Sequence, residues 1–243
     1  MKKIGIAVLL VSTLNAFSQN DPARLTEVWN PQPRIVIPGT NSTDAPSDAI
    51  VLFDGKNLNE WAFENGKAAS WNLENGILTV TKGMGEIQTK KSFGDCQLHI
   101  EWRSPALVKG EGQGRGNSGI FLMGKYELQV LDNYENKTYS NGQAGSIYKQ
   151  AAPLVNASRK PGQWQQYDII FTAPTFNKDS ALKSPGRITV LHNGVLVQNN
   201  TTIWGATQYI GIANNKWHNE KLPIKLQDHG DAVSYRNIWI REL

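Results

Sequence analysis

From Ile50 onward the chain consists of short runs of alternating apolar and polar residues, separated by glycine, asparagine and proline. A period of two is typical of strands that bury one face. Two of the boundaries, Asn75-Gly76 and Asn193-Gly194, carry the dipeptide that a type I′ hairpin turn prefers. The runs include no amphipathic helix longer than two turns and no fixed repeat. We therefore predict an all-β fold of two antiparallel sheets, a jelly roll or concanavalin-like sandwich.

The N-terminal part of the chain has a different composition. Residues 1–18 combine a basic start, an apolar run too short to span a bilayer, and small residues at the expected cleavage positions. This pattern predicts a secretory signal peptide and therefore a periplasmic or extracellular protein. Residues 19–47 are rich in Pro, Asn, Thr and Ser, which predicts an extended leader. The jelly-roll domain is expected to span residues 48–243.

Charge and cysteine content exclude several classes of protein. The formal net charge of +4 includes two lysines of the predicted signal peptide, and the other cations are scattered without a basic stripe. Nucleic acid is therefore not an expected partner. No other apolar run is long enough for a transmembrane helix. The single cysteine, Cys96, rules out an internal disulfide, so the fold must depend on its apolar core.

The most distinctive polar row lies in the run from Tyr126 to Asp132. In a regular strand Glu127 and Gln129 share one face, and a bulge after Val130 would bring Asp132 to that face too. The row resembles the bulged acidic row of laminarinase-type jelly-roll glycosidases, with Gln in place of the middle Asp and Asp in place of the last Glu. That replacement argues against double displacement, which needs two carboxyl groups at a set separation.

A second polar strand face runs from Gln97 to Arg103. Its members Glu101 and Arg103 could pair with each other as a structural feature, or line a groove beside Glu127. His99, on the same face, is interpreted as structural.

A glycine-rich loop from Gly110 to Gly119 precedes the Glu127 strand. A phosphate-binding loop is followed by a helix, whereas here a strand follows, so nucleotide binding is not expected. The loop instead allows the backbone to approach a ligand closely, with Arg115 as a partner for an anion or oxyanion and Asn117 as a polar contact.

Three further segments supply candidate side chains. Tyr148 and Lys149 are neighbours that would face opposite ways in a strand, so one of them is expected to enter a site. Asp228-His229 has the residue types for acid–base chemistry or metal binding, although a polar turn is the simpler interpretation. Trp217, in a loop, could stack on a sugar ring.

Several blocks, in order and covering about residue 48 to the end, resemble the 3-keto-disaccharide hydrolase family. These blocks are IVLFDGKNLNEW, WNLENGILTV, GNSGIFLMGKYELQVLDN, GSIY, GQWQQYDIIF, ITVLHNGVLVQNN and IKLQDHGDAVSYRNIWIREL. The resemblance implies a concanavalin-like jelly roll, export from a bacterial cell, and cleavage of the glycosidic bond of glycosides already oxidised at C3. Residues 48–243 would then form a catalytic domain with a carbohydrate as its partner.

A ketone at C3 acidifies the hydrogen on C2, so a base can form an enolate that expels the C1 substituent. We expect Glu127 and His229 to act as base and acid, in an order that the sequence leaves open. Arg115, Lys149 or one divalent metal ion would stabilise the enolate, and the metal ligands would be Glu127, Asp132 and His229. The residues expected to bind substrate are Glu101, Arg103, Asn117, Gln129, Asp132, Tyr148, Lys149 and Trp217.

Two other functions fit the same pattern, because sandwich folds host many activities. One is a non-catalytic carbohydrate-binding module, and the other is a conventional glycoside hydrolase of laminarinase-like fold. The sequence leaves open the leaving group, the anomer, hydrolase versus lyase outcome, any metal requirement and the oligomeric state.

Overall fold

The computed structural model describes residues 22–243, so the predicted signal peptide at residues 1–18 lies outside the described residues. The described part of the chain divides into two units, with the boundary between Ile35 and Val36. Within the first unit, Pro22–Thr26 forms a short 3-10 helix. The second unit contains the strands described below, together with residues 36–47, which the sequence assigns to the leader. Between residues 22 and 243 there is no helix with the length and apolar character needed to cross a membrane.

Antiparallel strands build the second unit, which confirms the predicted all-β class. Two further 3-10 turns, Gly112–Gly114 and Ser140–Gly142, lie in its loops. The strands are β1 (Ile50–Phe53), β2 (Trp61–Phe63), β3 (Asn72–Glu74), β4 (Ile77–Thr79), β5 (Ile87–Phe93), β6 (Cys96–Arg103), β7 (Ser118–Leu122), β8 (Tyr126–Val130), β9 (Gln165–Thr172), β10 (Thr175–Phe176), β11 (Leu182–Ser184), β12 (Gly186–His192), β13 (Val195–Ile203), β14 (Leu222–Leu226) and β15 (Ser234–Glu242).

The strands form two main sheets. The larger, eight-stranded sheet has the order β13-β12-β9-β6-β15-β4-β3, with β1 also paired to β15. The smaller, five-stranded sheet has the order β2-β5-β14-β7-β8. Strands β10 and β11 form a separate hairpin. The two predicted Asn-Gly turns are confirmed between β3 and β4 and between β12 and β13, where all four turn residues have positive φ.

A continuous apolar core is formed by residues that alternate along the strands. Its largest fully buried side chains include Trp61, Trp102, Tyr167 and Tyr235. The Tyr235 hydroxyl lies 2.7 Å from the Ser118 hydroxyl, so a polar group on β7 is satisfied inside the core. This arrangement leaves the alternate residues of the smaller sheet on its outer face.

Residues 36–47 contact the outer face of the larger sheet. The Thr43 carbonyl accepts hydrogen bonds from the Asn237 amide at 3.0 Å and from the Trp239 indole at 2.9 Å. The Trp239 ring stacks on His99, which is fully buried. The same His99 lies 2.7 Å from Asp168, so its polar atoms are partnered as expected of a structural histidine.

Candidate active site

The outer face of the smaller sheet carries a cavity of about 520 Å³. Strand β8 contributes Glu127 and Gln129, whose neighbours Leu128 and Val130 point into the core. Strand β7, paired with β8, contributes Phe121, which lies opposite Glu127. The alternation predicted for this strand therefore places the two polar side chains in one cavity.

Glu127 is the central ionisable group of this cavity and is only 5% exposed. No ion pair among residues 22–243 includes it. Burial raises the pKa of Glu127 from 4.5 to about 8, and the negative charge of Glu86 contributes in the same direction. Its backbone N–H donates to the Thr207 hydroxyl at 3.0 Å, which attaches the loop after β13 to this strand. A buried carboxyl without a compensating cation is costly for folding and is typical of functional sites.

Gln129 connects Glu127 to the glycine-rich loop. Its amide nitrogen lies 3.0 Å from the Gln113 side-chain oxygen. Rotating the amide by half a turn would instead let the nitrogen donate to Glu127 Oε1 at 3.2 Å and to the Ser118 carbonyl at 3.1 Å. In the rotated position the amide nitrogen can donate to an ionised Glu127, and in the other position the amide oxygen faces Glu127 and can accept from its protonated carboxyl. Gln129 can therefore hydrogen-bond to either protonation state of Glu127.

The segment after β8 folds back along the edge of that strand. The Gly145 N–H donates to the Gln129 carbonyl at 3.0 Å, and the Tyr148 N–H donates to the Glu127 carbonyl at 3.1 Å. Lys149 follows with a φ of +57°, a left-handed conformation that non-glycine residues adopt rarely. This turn brings both Tyr148 and Lys149 to the cavity. The expectation that only one of them enters was wrong, because the segment turns here and does not continue as a strand.

Lys149 is surrounded by tyrosine rings. Its ammonium group lies 4.4 Å from the ring centre of Tyr209 and 5.8 Å from those of Tyr139 and Tyr148. It also donates to the Tyr209 carbonyl at 2.6 Å. The Tyr139 and Tyr148 hydroxyls lie 2.6 Å apart. Burial and that hydrogen bond raise the pKa of Tyr148, so this phenol stays protonated, and Lys149 supplies the positive charge of this wall.

His229 and Asn117 also line this cavity. His229 follows β14 and is exposed, whereas Asn117 is buried and donates to the Gln113 carbonyl at 2.7 Å. Asp228, the neighbour of His229, accepts backbone N–H bonds from Gly85 and Gly230 at 3.0 Å each. It therefore fixes the turn that presents His229 and is not part of the cavity wall.

Arg115 and Asp132 do not reach this cavity. Arg115 Nε donates to Asp132 Oδ2 at 2.7 Å, and its terminal nitrogen donates to the Tyr134 carbonyl at 2.9 Å. Both side chains line a separate cavity of about 400 Å³. The register of β7 and β8 runs unshifted as far as Val130, so the strand ends without the bulge that would have placed Asp132 beside Glu127.

The predicted set of metal ligands is therefore not brought together, because Asp132 is paired elsewhere. Throughout residues 22–243, no group of three or more His, Cys, Asp or Glu side chains is placed to hold a metal ion. Glu127 and His229 remain together in the first cavity as a candidate acid–base pair.

Glu101 and Arg103 lie in the larger sheet and not beside Glu127. Arg236 donates to Glu101 at 2.6 Å. Burial opposes ionisation of Glu101, but hydrogen bonds from His99, Asn237 and Arg236 outweigh it and lower its pKa to about 2. The alternative in which this strand lines a groove beside Glu127 is wrong, because β6 pairs with β9 and β15 in the larger sheet.

Arg103 stacks over a tryptophan, and Trp217 lies in another cavity. The guanidinium of Arg103 lies 4.7 Å from the Trp164 ring centre. Trp217 lines a cavity of about 380 Å³ together with Phe176 and His218. Neither side chain lines the cavity that contains Glu127.

The sequence did not single out six residues that complete the cavity wall. All six come from loops or from the β7 strand and have no local pattern of their own, although a glycine near Tyr139 hints at close packing. The Gly142 position leaves no room for a side chain, because a Cβ there would lie 2.0 Å from the Tyr139 ring. The six residues are Gln113, Phe121, Tyr139, Thr207, Tyr209 and Gln227.

The similar proteins described next identify this jelly roll as a carbohydrate-active, glycoside hydrolase-like enzyme. The chain belongs to the 3-keto-alpha-glucoside-1,2-lyase-like domain family, whose model matches residues 48–241. A curated relative, the 3-keto-disaccharide hydrolase of Bacteroides thetaiotaomicron, is 26% identical, and the match covers 84% of this chain and 82% of the relative.

Crystal structures of two proteins from Parabacteroides distasonis, each described as a candidate glycosyl hydrolase, are also similar. One is 54% identical with a TM-score of 0.87, and the match covers 90% of this chain and 96% of that protein. The other is 20% identical with a TM-score of 0.57, covering 81% and 94% respectively, and this likeness concerns the fold alone.

Proposed function

We propose that this protein cleaves the glycosidic bond of 3-keto-glycosides by removing the proton on C2 and eliminating the C1 substituent. The observation that carries the proposal is the buried, unpaired carboxyl of Glu127 in the wall of a sugar-sized cavity. Membership of the 3-keto-alpha-glucoside-1,2-lyase-like family supports the same chemistry. The name of the Bacteroides relative supports a 3-keto-disaccharide as one kind of substrate.

The reaction would proceed in two steps. A base takes the C2 proton, and the electron pair of that C–H bond forms a C2–C3 double bond, leaving negative charge on the C3 oxygen. The enolate then re-forms the ketone as a C1–C2 double bond appears and the bond from C1 to the leaving oxygen breaks. The leaving oxygen takes a proton from an acid, and water can add to the unsaturated ketone to give the hydrolysed sugar.

Glu127 is suited to the role of base. A carboxylate with a pKa of about 8 accepts a proton from a carbon acid more readily than an ordinary carboxylate. Gln129 can donate to Glu127 Oε1 when its amide is rotated, which would orient the carboxylate. The burial of the side chain keeps it away from bulk water, which preserves its raised basicity.

Lys149 is suited to stabilising the enolate. Its ammonium group is held by the Tyr209 carbonyl and by three aromatic rings, so it is already ordered before substrate binds. A preorganised cation directed at developing charge is typically worth roughly 3–4 kcal/mol of transition-state stabilisation. Arg115, the alternative cation, is paired with Asp132 in another cavity.

His229 would donate the proton to the leaving group. It lines the same cavity as Glu127 but is exposed, so it can exchange protons with solvent between turnovers. A neutral Gln in place of a second carboxylate on β8 suits elimination, since no nucleophile needs to attack C1. We further propose that the protein acts after export, on the basis of the signal-peptide pattern in residues 1–18.

Solvent isotope incorporation tests this proposal directly. The purified protein is given a 3-keto-glucoside in D₂O, and the C2 position of the product is examined by NMR. Elimination followed by hydration predicts deuterium at C2, whereas direct displacement at C1 predicts that the original hydrogen is retained. Retention of that hydrogen, or cleavage of the unoxidised glucoside at an equal rate, would point to a conventional glycoside hydrolase.

A further inference from the structure

In addition to the cavities described above, a cavity of about 240 Å³ lies beside the candidate active site. Tyr148 and Lys149 line both cavities, so the two spaces adjoin each other at this pair. A substrate whose sugar ring lies against Glu127 therefore has adjoining space into which its C1 substituent can extend. We call this second space the Trp204 subsite; its other lining residues are Gln150, Trp204, Gln208, Gly211, Ile212 and Ala213.

The Trp204 subsite is built by the loop between β13 and β14, residues 204–221. The base of this loop is closed, since the Ala206 N–H donates to the Asn214 carbonyl at 3.2 Å. A Cβ at Gly205 would lie 2.1 Å from the Asn214 backbone, so the two halves of the loop are in direct contact there. The Thr207 N–H donates to the Lys125 carbonyl at 2.9 Å, just before β8. The loop is thus anchored beside the strand that carries Glu127.

The loop presents apolar surface to this space. Trp204 is 63% exposed and Ile212 is 90% exposed, so both leave apolar surface uncovered at this cavity. The position of Trp204 is fixed by its backbone, because its N–H donates to Gln150 Oε1 at 2.8 Å and its carbonyl accepts from Asn215 at 3.1 Å. With its backbone fixed in this way, the exposed indole offers a flat surface for a ring beside the cavity.

Three of the four polar side chains of the subsite hydrogen-bond within the protein, and the fourth, Gln208, is exposed. Gln150 uses its amide nitrogen for the Gly205 carbonyl at 3.0 Å and its oxygen for Trp204, as described above. Lys149 donates to the Tyr209 carbonyl, and the Tyr148 hydroxyl is paired with Tyr139. A sugar entering this space would exchange several hydrogen bonds with water for few with protein, whereas an aromatic ring would gain apolar contact.

We propose that the Trp204 subsite binds the leaving group of the substrate and selects an aromatic one, attached to C1 through oxygen. This proposal rests on the function proposed above, because it places the sugar ring against Glu127. Its chemistry is favourable, since a phenol leaves more readily than an alkyl alcohol or a sugar hydroxyl.

Binding to an inactive variant separates this proposal from catalysis. In the Glu127→Gln chain, calorimetry compares phenyl and methyl 3-keto-glucosides of the same anomer. We expect the phenyl compound to bind roughly 10- to 50-fold more tightly, the gain expected from burying one ring. Trp204→Ala in this background should abolish the preference, and Trp204→Phe should retain most of it. Equal affinity for the two glucosides would overturn the assignment, and so would a phenyl preference that survives Trp204→Ala. The assignment would also be overturned if neither glucoside bound.

The active protein gives the second readout. Ile212→Ala should raise KM for the phenyl substrate several-fold and change KM for the methyl substrate by no more than about twofold. The size of the effect follows from the apolar area of one aliphatic side chain that the phenyl ring would no longer contact. Ile170→Ala, on the larger sheet where Ile170 is 48% exposed, is the matched control and should change neither. A phenyl preference that depends on Trp204 without any turnover would sink the proposed elimination and keep the subsite. Turnover of the 3-keto-glucosides without that preference would overturn the subsite and keep the proposed elimination.

Discussion

A Cβ atom placed on Gly119 would lie 2.7 Å from Glu127 Oε1 and 2.9 Å from the Phe121 ring. Gly119 sits on β7, in register with Gln129 of the neighbouring strand. The space for the buried carboxyl therefore exists because position 119 lacks a side chain. This glycine has ordinary strand geometry, so its requirement is space and not an unusual backbone conformation.

Gly119→Ala is expected to impair catalysis by displacing the Glu127 carboxyl. A methyl group at that distance forces the carboxyl or the Phe121 ring to move by several tenths of an ångström. Misplacing a catalytic base typically costs on the order of 100-fold in kcat. Steady-state kinetics on a 3-keto-glucoside measure the effect. Gly114→Ala is the control, since a Cβ there meets nothing within 4 Å, and near-normal kcat in Gly119→Ala would show that Glu127 is not the base.

Glu127→Gln is expected to stabilise the protein by an amount that grows with pH. The folded state holds the Glu127 proton up to about pH 8, whereas the unfolded chain releases it near the ordinary value of 4.5. The wild-type chain thus loses stability as pH rises through that window, by on the order of 3–5 kcal/mol, and the glutamine variant is spared this loss. Urea unfolding at pH 5.0 and 8.5 gives the difference, and a constant gap between the two proteins would contradict the raised pKa.

Glu86→Gln is expected to shift the pH dependence of turnover toward acid. Removing this negative charge eases ionisation of Glu127, so the midpoint of the rising limb of kcat/KM, expected near pH 8 for a base, should fall by a fraction of a unit. Glu64→Gln provides the control. Glu64 and Glu86 both form ion pairs with Lys225, but only Glu86 contributes to the raised pKa of Glu127. Equal midpoints for all three proteins would argue against this coupling.

Lys149→Met is expected to impair catalysis, and Arg115→Met is expected to impair stability. Loss of the Lys149 ammonium should lower kcat by roughly 100- to 1000-fold with a modest effect on stability, because it removes charge stabilisation of the enolate. Loss of Arg115 leaves Asp132 buried without its partner, so stability should fall by about 3 kcal/mol while kcat of the folded enzyme changes little. Kinetics and thermal unfolding of both variants test this, and the opposite pattern would assign the catalytic cation to Arg115.

The alternation of apolar and polar residues in short runs was sufficient to determine the all-β class and the two faces of β8. Glu127 and Gln129 share a face because successive strand side chains alternate, a rule that depends on covalent geometry alone. The Asn-Gly turns could likewise be predicted from local sequence, since those residues tolerate positive φ. These features follow from a few neighbouring residues.

Only the tertiary structure decided which polar side chains meet. Arg115 and Asp132 pair with each other, and Glu101 lies in the other sheet, although all three have residue types that suit a site. Strand order is set by packing of the whole core, and a turn such as the one at Lys149 depends on hydrogen bonds to distant segments. The sequence by itself determined that Glu127 would face away from the core. The tertiary structure determined that it would be buried there, because loops far along the chain close over it.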